Sequence, residues 1–346
     1  RESDVPFFLE MNTRLQVEHP VTEAICGVDL VEWQLRQAAG LPLPLTQGQI
    51  MPRGHAIEVR LNAERPDQGF IPATGQVIDL VAPRGLRLDT GVAPGSEISV
   101  HYDSMIAKLI AHGPTREDAR ARLLSGLEAL ALPGIATNQA FLADCLRAPA
   151  FTEAGATTGF LAENFGGGWQ PAPGALHALR LGAARAALPP GGTPHNRTDA
   201  FRVTGRPGRV PLHIADDYGA VDITLGEEPL AAPVRLWPVA DAFWVCGGGL
   251  TLRLTITPLA EARMRAPDGG AAQGHLLAPL TGLVSAVHVA PGDRVEKGAP
   301  LIVMEAMKLV HTLAAPVSGK VVRVACKAGD TIAAKTLLIE LEEEES

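Results

Sequence analysis

The stretch APLTGLVSAVHVAPGDRVEKGAPLIVME, residues 278–305, is followed in the same chain by a second copy of itself. APVSGKVVRVACKAGDTIAAKTLLIELE, residues 315–342, aligns with it without a gap at an offset of 37 residues, and ten aligned positions are identical. Each copy alternates short β-branched runs with Gly-Asp or Ala-Pro turn signals, which predicts a set of short strands. Two such sets can close one sandwich with pseudo-twofold symmetry.

The stretch that joins the two copies, AMKLVHTLA at residues 306–314, predicts a protruding hairpin with Lys308 near its tip. On position alone, Lys308 could be an ordinary solvated lysine. Its neighbours favour another interpretation, because VMEAMKLVH at residues 303–311 resembles the EAMKM-type signature of biotinyl carrier domains. This resemblance implies that biotin is attached covalently to Lys308.

The residues on either side of Lys308 bear on which carrier family this is. Leu309 stands where the biotinyl family usually has Met, a change that conserves volume and apolarity. Lipoyl domains are the competing interpretation, since they share the repeat and the displayed lysine. In lipoyl domains the lysine usually follows an acidic and a small residue, whereas here it follows Met307, which favours biotin.

The composition argues against several classes of protein. A formal charge of −8 and a pI near 5.7 argue against a nucleic-acid or anionic-membrane partner, which would need clustered Lys and Arg. Apolar runs fall short of the ~20 residues that a bilayer crossing requires, so no membrane span is expected. The first residues, RESDVPFFLEMN, carry neither a signal-peptide core nor a transit pattern and are interpreted as entering in mid-domain.

The cysteines are far apart and form no CxxC pair, which favours free, mostly buried thiols in a reducing compartment over disulfides or a zinc site. They are Cys26, Cys145, Cys246 and Cys326.

Polar residues alternate with apolar ones in LEMNTRLQVEHPVTE, residues 9–23. An extended strand would place the polar set on one face. That set is Glu10, Asn12, Arg14, Gln16 and Glu18. HAIEVRLNAE, residues 55–64, repeats the alternation with Glu58, Arg60 and Asn62. Two such faces opposed would form a polar cleft able to bind an anion.

EMNTRLQVEHPVTE resembles the signature of biotin carboxylase, an ATP-grasp enzyme, and HYDSMIAKLIAHG at residues 101–113 resembles its C-terminal part. The resemblance implies that Glu10 and Asn12 hold a metal ion, Mg²⁺ or Mn²⁺, near the phosphates of ATP. It implies a bicarbonate site at Arg14, Gln16 and the backbone of Val17. Glu18 would be the general base, and Arg60 would face the ureido oxygen of biotin.

These residue types suit that chemistry. Oxygen ligands suit Mg²⁺, and a planar guanidinium binds bicarbonate with paired donors. A carboxylate such as Glu18 can accept the bicarbonate proton, and deprotonated bicarbonate would attack the γ-phosphate of ATP to give carboxyphosphate. The histidines of these stretches, His19, His101 and His112, are interpreted as structural.

The expected fold class is multidomain α+β. Residues 1–165 would be the C-terminal part of an ATP-grasp biotin carboxylase. Residues 166–264 would form an antiparallel β-barrel with one helix, at about 175–188, which by its place in the order resembles the domain that attaches an α subunit to its β subunit. Residues 265–274 are expected to form a flexible linker, and residues 275–343 the flattened β-sandwich of a biotin carboxyl carrier.

The resemblance as a whole is to the α subunit of an acyl-CoA carboxylase, which passes carboxybiotin to a carboxyltransferase β subunit. Biotin protein ligase, the acyl-CoA bound by the β subunit, and a hetero-oligomeric assembly are the implied partners. Among the possible acyl-CoA substrates, the resemblance favours methylcrotonyl-CoA, with geranyl-, propionyl- and acetyl-CoA as alternatives. A non-catalytic biotin or lipoyl carrier and docking fragment is the alternative of another class.

Two further expectations follow from the resemblance. The family's Gly-rich lid, nucleotide-binding lysines and second metal carboxylate have no counterpart in this sequence, so this polypeptide alone is expected not to carboxylate biotin. The expected location is the cytoplasm for a bacterial protein and the mitochondrial matrix for a eukaryotic one.

Overall fold

The computed structural model describes residues 8, 10–187, 210–225, 233–265, 274–279, 281–306 and 309–343. Eight α-helices and twenty β-strands lie in these residues. The chain divides into two compact units. Unit 1 comprises residues 1–59, 84–89 and 108–126, and unit 2 comprises residues 60–83, 90–107 and 127–346. Among the helices in the described residues, none is both long and apolar enough to span a bilayer.

Two short helices follow the polar stretch of unit 1: α1, His19–Cys26, and α2, Leu30–Ala38. Pro20 lies in the first turn of α1, where its missing N–H costs nothing, and Gly27 ends the helix with a φ of +66°. Asp29 caps α2 by accepting a hydrogen bond from the Glu32 N–H at 2.8 Å. The helical spacing and the Gly stop of VDLVEWQLRQAAG, residues 28–40, predict a helix, and α2 confirms it.

The predicted strand at residues 10–18 is wrong. No strand is assigned there among the described residues, and the chain bends at Arg14 and turns at Val17 and Glu18 into α1. Glu18 has a φ of −83° and a ψ of 5°, which is not an extended conformation. The alternation of polar residues therefore reflects a loop that leads into a helix N-terminus.

Seven strands follow α2, and they include the predicted strand at residues 55–64. They are β1 His55–Asn62, β2 Glu64–Arg65, β3 Ile71–Pro72, β4 Gly75–Gln76, β5 Arg87–Thr90, β6 Glu97–Ile98 and β7 Met105–Gly113. The longest form a three-stranded sheet in the order β1-β7-β5, while β2 pairs with β3 and β4 with β6.

Thr115 and Asp118 have the spacing of a capping box, which predicts a helix start, and helix α3, Arg116–Ala129, begins there. The Thr115 N–H donates to Asp118 Oδ2 and the Asp118 N–H donates to Thr115 Oγ1, each at 3.1 Å. Three more helices follow in unit 2: α4 Gln139–Arg147, α5 Pro149–Thr152 and α6 Phe160–Phe165.

The Gly-rich stretch after α6 is anchored by an aromatic residue. Trp169 is buried, its ring lies 6.0 Å from that of Phe141, and its Nε1 donates to Asp144 Oδ2 at 2.9 Å. Phe141 also packs edge-on against Phe70 and Phe165. This aromatic cluster fixes the start of the next segment on the helices that precede it.

The middle segment is an antiparallel sheet with a covering helix. Helix α7, Pro173–Ala187, confirms the predicted Ala-rich helix. The strands are β8 Val210–Asp216, β9 Gly219–Leu225, β10 Arg235–Val239, β11 Ala242–Gly247 and β12 Leu250–Pro258. Their order is β10-β11-β12-β8-β9, and neighbouring strands are antiparallel. Ile214, Val245 and Ala183 are fully buried between sheet and helix.

One detail of the middle segment differs from the prediction, and another cannot be compared with it. A second helix, α8 at Leu259–Arg265, follows β12, so the described part of the segment has more than one helix. The run AFRVTG at residues 200–205, predicted as a strand, lies outside the described residues, as do residues 266–273 of the predicted linker.

The C-terminal segment contains eight strands in two sheets. They are β13 His275–Leu277, β14 Gly282–Val287, β15 Arg294–Val295, β16 Pro300–Ala306, β17 Leu309–Ala314, β18 Gly319–Val324, β19 Thr331–Ile332 and β20 Leu337–Glu343. The sheet orders are β13-β20-β18-β15 and β17-β16-β14-β19.

The predicted internal repeat is confirmed strand by strand. β14, β15 and β16 recur as β18, β19 and β20 at the same offset of 37 residues that the sequence shows. Each sheet takes strands from both copies, so that a twofold exchange maps one sheet order onto the other. Equivalent residues share one core: Val284 with Val321, and Leu301 with Leu338, are at most 1% exposed.

A buried ion pair joins α7 to the sheet of the middle segment. Arg180 donates from Nε and Nη2 to the two carboxylate oxygens of Asp216 at 2.7 and 2.6 Å, and the Asp216 side chain is 0% exposed. We expect Arg180→Ala to lower the free energy of unfolding by about 3 kcal/mol, because it leaves a buried carboxylate without its partner. Hydrogen exchange of α7 and β8 under increasing urea measures this loss.

The matched control is Arg36→Ala, which removes an exposed pair with Glu32 of similar length, 2.7 Å. Its expected cost is about 0.5 kcal/mol or less. Equal effects of the two substitutions would show that burial of Asp216 does not set the strength of the Arg180 pair.

Candidate functional site

Two of the three predicted bicarbonate-site residues, Arg14 and Gln16, line one cavity of unit 1 together with the predicted general base, Glu18, whereas Val17 is not in its lining. Arg14, Gln16 and Glu18 border an open cavity of about 580 Å³. Leu30 and Trp33 of α2 line its other side. The loop thus presents a guanidinium, an amide and a carboxylate to one space, which is what binding and deprotonating a small oxyanion require.

The loop is held by its backbone carbonyls. Lys108 Nζ, from β7, donates to the Val17 carbonyl oxygen at 2.8 Å. The ring nitrogen Nδ1 of His19 lies 2.7 Å from the Gln16 carbonyl oxygen. Because a carbonyl oxygen only accepts hydrogen bonds, Nδ1 must carry the proton. His112 likewise contacts a backbone carbonyl oxygen, that of Arg53, through Nε2 at 2.9 Å. The structural role predicted for these histidines stays a prediction.

A chain of charges supports Lys108 and α1. Arg87 bridges Glu23 Oε2 at 2.7 Å and Asp89 Oδ1 at 2.8 Å, and Lys108 Nζ lies 3.6 Å from Asp89 Oδ2. The other oxygen of Glu23 accepts from the Leu30 N–H at 2.7 Å. Burial by itself would raise the pKa of Asp89, but the hydrogen bond and charge of Arg87 and the charge of Lys108 outweigh it and lower that pKa. Asp89 therefore stays ionised beside Lys108 at neutral pH.

The predicted metal-binding residues, Glu10 and Asn12, are exposed and lie outside the lining of the cavity. A carboxylate and an amide oxygen two residues apart are donor types that Mg²⁺ accepts, and they would supply two of its roughly six ligands. The side chains of Glu10 and Asn12 thus fit part of a metal site, and their role as metal ligands stays a prediction.

Arg60 lies in the part of β1 that belongs to unit 2, whereas the cavity residues belong to unit 1. Its side chain is exposed and its backbone is fixed by Asn138, which is 5% exposed. Asn138 Nδ2 donates to the Arg60 carbonyl oxygen at 3.2 Å, and Asn138 Oδ1 accepts from the Asn62 N–H at 2.9 Å. Burial raises the pKa of the neighbouring Glu64, although hydrogen bonds from Asn62 and Asn138 oppose the shift. The cleft between the two polar faces remains a prediction.

The predicted biotin attachment site falls between two paired strands. β16 and β17 are antiparallel, with Ala306 opposite Leu309 as their last pair. Met307 and Lys308 lie outside the described residues. The strands that flank them are fixed in register, since Met304 is fully buried opposite His311 and Ala306 is buried beside the end of the ladder.

Sequence reasoning missed Lys108, Glu23 and Asn138. Lys108 had a signal, because it is the one charged residue within the apolar run SMIAKLIA. A charge on a strand of this kind needs a partner, but nothing in the sequence says that the partner is a carbonyl 91 positions away. Glu23 and Asn138 carry no comparable signal, since polar residues near helix ends are usually solvated.

The thiols of the described structure are free, as predicted, but only Cys246 is buried. Burial raises the pKa of Cys145 to about 12 and that of Cys246 to about 11. Neither thiol is therefore an activated nucleophile at neutral pH.

Three protein-family models match the chain in sequence order. Residues 1–46 match the ATP binding domain of the carbamoyl-phosphate synthase L chain, and residues 58–163 match the biotin carboxylase C-terminal domain. Residues 274–341 match the model described as biotin-requiring enzyme. The biotin carboxylase domain of 2-oxoglutarate carboxylase from Hydrogenobacter thermophilus aligns with a TM-score of 0.45 at 43% identity, over 45% of this chain and 35% of that one.

Two relatives match nearly the whole chain. It is 32% identical to the mitochondrial methylcrotonoyl-CoA carboxylase subunit alpha of Mus musculus, over 98% of this chain and 54% of that subunit. It is 33% identical to the propionyl-CoA carboxylase alpha chain of Ruegeria pomeroyi, over 97% of this chain and 58% of that one. The chain is a homologue of the alpha subunits of biotin-dependent acyl-CoA carboxylases.

This acyl-CoA carboxylase homologue spans about half the length of the relatives it matches. The matches to the biotin carboxylase and biotin-requiring models confirm the predicted family and fold class. Together with the match to an ATP binding domain, they also confirm the predicted link to biotin and ATP. The four domain boundaries and the role of each site residue remain predictions.

We expect His311 to make the stability of the C-terminal sandwich depend on pH. Its Nε2 is buried without a hydrogen-bond partner in the described structure, and burial lowers its pKa. A histidine with a lowered pKa contributes stability that is present above its unfolded pKa of about 6.5 and is lost as the pH falls through the lower folded value. We expect exchange protection of β16 and β17, corrected for intrinsic rates, to decrease below about pH 6.5.

The variant His311→Leu should show a smaller decrease over the same pH range, because the titrating group is gone. His288→Leu, at an exposed position of the same segment, is the control. An unchanged pH dependence in His311→Leu would contradict this assignment.

Proposed function

We propose that this chain is part of the α subunit of an acyl-CoA carboxylase. The parent subunit would carboxylate biotin on Lys308 with ATP and bicarbonate and deliver the carboxyl group to a carboxyltransferase β subunit. The observation that carries the proposal is the duplicated sandwich, whose strands β16 and β17 meet at the pair Ala306 and Leu309 around the MEAMKL stretch. A carboxylase part of matching family precedes it in the same chain.

Lys308 would be the attachment residue. The support is its place in the sequence, directly before the strand β17 that pairs with β16 up to Ala306 opposite Leu309. Biotin protein ligase would acylate it, and the attached biotin would later enter a second active site. Biotin, when attached, supplies the ureido nitrogen that carries the carboxyl group. The rest of the reaction depends on the residues of the carboxylase part.

Arg14, Gln16 and Glu18 would act on bicarbonate, because they line one cavity. Arg14 would bind its oxygens through paired N–H donors, and Gln16 and the Val17 N–H would add neutral donors. Glu18 would accept its proton, which makes the remaining oxyanion a nucleophile for the γ-phosphate of ATP. Glu10 and Asn12 would hold part of a Mg²⁺ or Mn²⁺ shell near the phosphates. Arg60 would bind the ureido oxygen, where charge develops along the reaction path.

The acyl-CoA would be chosen by the β subunit, and we propose methylcrotonyl-CoA. The support is the middle segment at residues 166–264, which resembles the shorter contact domain of the methylcrotonyl and geranyl branch. Propionyl-CoA is the second candidate, since one relative with nearly full coverage of this chain is named for it. Assay of the co-purified holoenzyme against a panel of acyl-CoA esters distinguishes them.

The assembly would be a hetero-oligomer of α and β subunits. Its location would follow its source, the mitochondrial matrix for a eukaryotic protein, as the name of the mouse relative states for that protein, and the cytoplasm for a bacterial one.

The attachment residue is tested by intact mass. Co-expression with biotin protein ligase should add the mass of one biotinyl group to the chain, and Lys308→Ala should abolish the addition. Lys320→Ala, at an exposed lysine of β18, should retain it. The mass of a lipoyl group would favour the competing carrier class, and retention of biotin in Lys308→Ala would show that another lysine is the attachment site.

The catalytic assignments are tested in the parent subunit with free biotin as acceptor. Glu18→Gln should lower kcat by about 100-fold or more, because the bicarbonate proton loses its acceptor. Arg60→Met should lower kcat by about 100-fold, because the developing charge loses its donor. Lys320→Met is the control. Wild-type-like kcat in Glu18→Gln or Arg60→Met would contradict the role of that residue.

A further inference from the structure

The side chains of Lys108 and His19 hold the site loop through its carbonyl groups; His19 also lines the cavity, whereas Lys108 does not. Lys108 lies in the apolar strand β7 with a side chain 13% exposed, and its Nζ donates to the Val17 carbonyl oxygen at 2.8 Å. His19, 12% exposed, contacts the Gln16 carbonyl oxygen through Nδ1 at 2.7 Å. Burying the Lys108 ammonium group in an apolar strand costs free energy, and its hydrogen bond to the Val17 carbonyl oxygen must offset that cost.

The two carbonyl groups belong to consecutive peptides. In a planar trans peptide the carbonyl oxygen of one residue and the N–H of the next point in opposite directions. Fixing the Gln16 carbonyl therefore fixes the direction of the Val17 N–H, and fixing the Val17 carbonyl fixes the direction of the Glu18 N–H. Within the described residues no peptide bond is cis, so this relation holds in the loop.

The Val17 N–H can donate a hydrogen bond to a ligand in the cavity. The described part of the chain provides no acceptor for it, although Val17 is half-buried. The side chains on either side of it, Gln16 and Glu18, line the cavity. A half-buried N–H without an acceptor costs free energy in the empty site, and an oxyanion in the cavity would remove that cost.

Charged neighbours hold the side chains of Lys108 and His19 in place. Lys108 is paired with Asp89, which Arg87 connects to Glu23 of α1, and His19 Nε2 lies 3.9 Å from Glu23 Oε2. Both carbonyl donors are thus tied to one carboxylate that also fixes the start of α2 through the Leu30 N–H. An anchored donor holds its acceptor in one orientation at little entropic cost.

We propose that Lys108 and His19 are positioning residues that orient the Val17 and Glu18 N–H groups for bicarbonate. They act through the backbone of the loop, by fixing the Gln16 and Val17 carbonyl groups. The inference rests on the proposed function, because it names what these N–H groups bind. Its expected signature is a loss of bicarbonate binding that leaves ATP binding intact.

The test uses the parent α subunit with free biotin as acceptor. Lys108→Met keeps the length and apolar stem of the side chain but removes the donor. It should lower kcat/KM for bicarbonate by about tenfold or more, the effect expected of one hydrogen bond to a charged donor, while KM for ATP stays within about twofold. Lys108→Arg, which keeps a charged donor, should recover part of the loss.

His19 offers a matched pair of variants. His19→Asn places an amide N–H near the position of Nδ1 and should retain most of the kcat/KM for bicarbonate. His19→Gln places its amide near the position of Nε2 and should lose about as much as Lys108→Met. Thermal unfolding of each variant identifies any that fail to fold, and Lys320→Met controls for loss of a lysine charge.

The outcomes separate the inference from the proposed function. A wild-type parent without bicarbonate-dependent carboxylation of biotin would refute the proposed function. An active wild type with unchanged kcat/KM for bicarbonate in folded Lys108→Met would refute the inference alone. Equal increases in KM for ATP and for bicarbonate, or equal behaviour of His19→Asn and His19→Gln, would also overturn it, because either result indicates a general structural role.

Discussion

The strand pairing that closes the C-terminal sandwich is the constraint on which the functional account depends. Each of its sheets takes strands from both copies of the repeat, so neither copy can bury its apolar face without the other. The register of β16 and β17 is fixed by that shared core, and it ends at Ala306 opposite Leu309. The two strands that flank the proposed attachment residue thus form a rigid support, which a carrier needs if it is to visit two active sites.

In the carboxylase part, contacts from distant residues hold a loop in place in a similar way. The residues proposed to bind bicarbonate have no strand or helix of their own, yet two of the loop's carbonyls are held by Lys108 and His19 at 2.8 and 2.7 Å. The charges of Glu23, Arg87 and Asp89 hold those donors in turn. A loop becomes a precise site when long-range contacts replace the missing secondary structure.

The parts that were predictable from the sequence are those governed by local pattern. The 37-residue repeat fixed the strands of the sandwich, and capping residues such as Asp29 and Thr115 fixed helix starts. The prediction of a strand at residues 10–18 was wrong because period-two alternation also occurs in loops. Here the loop leads into helix α1, which has Pro20 in its first turn. The contacts of Lys108 with Val17 and of Asn138 with Asn62 span 91 and 76 positions, which no local pattern encodes.

The most direct test of the account follows the carboxyl group itself. The biotinylated parent subunit is incubated with ATP and radiolabelled bicarbonate, quenched rapidly and digested, and its peptides are separated. The account predicts ATP-dependent label on the peptide that contains Lys308. Label on any other peptide, or none on the Lys308 peptide while bicarbonate-dependent ATP hydrolysis proceeds, would contradict it.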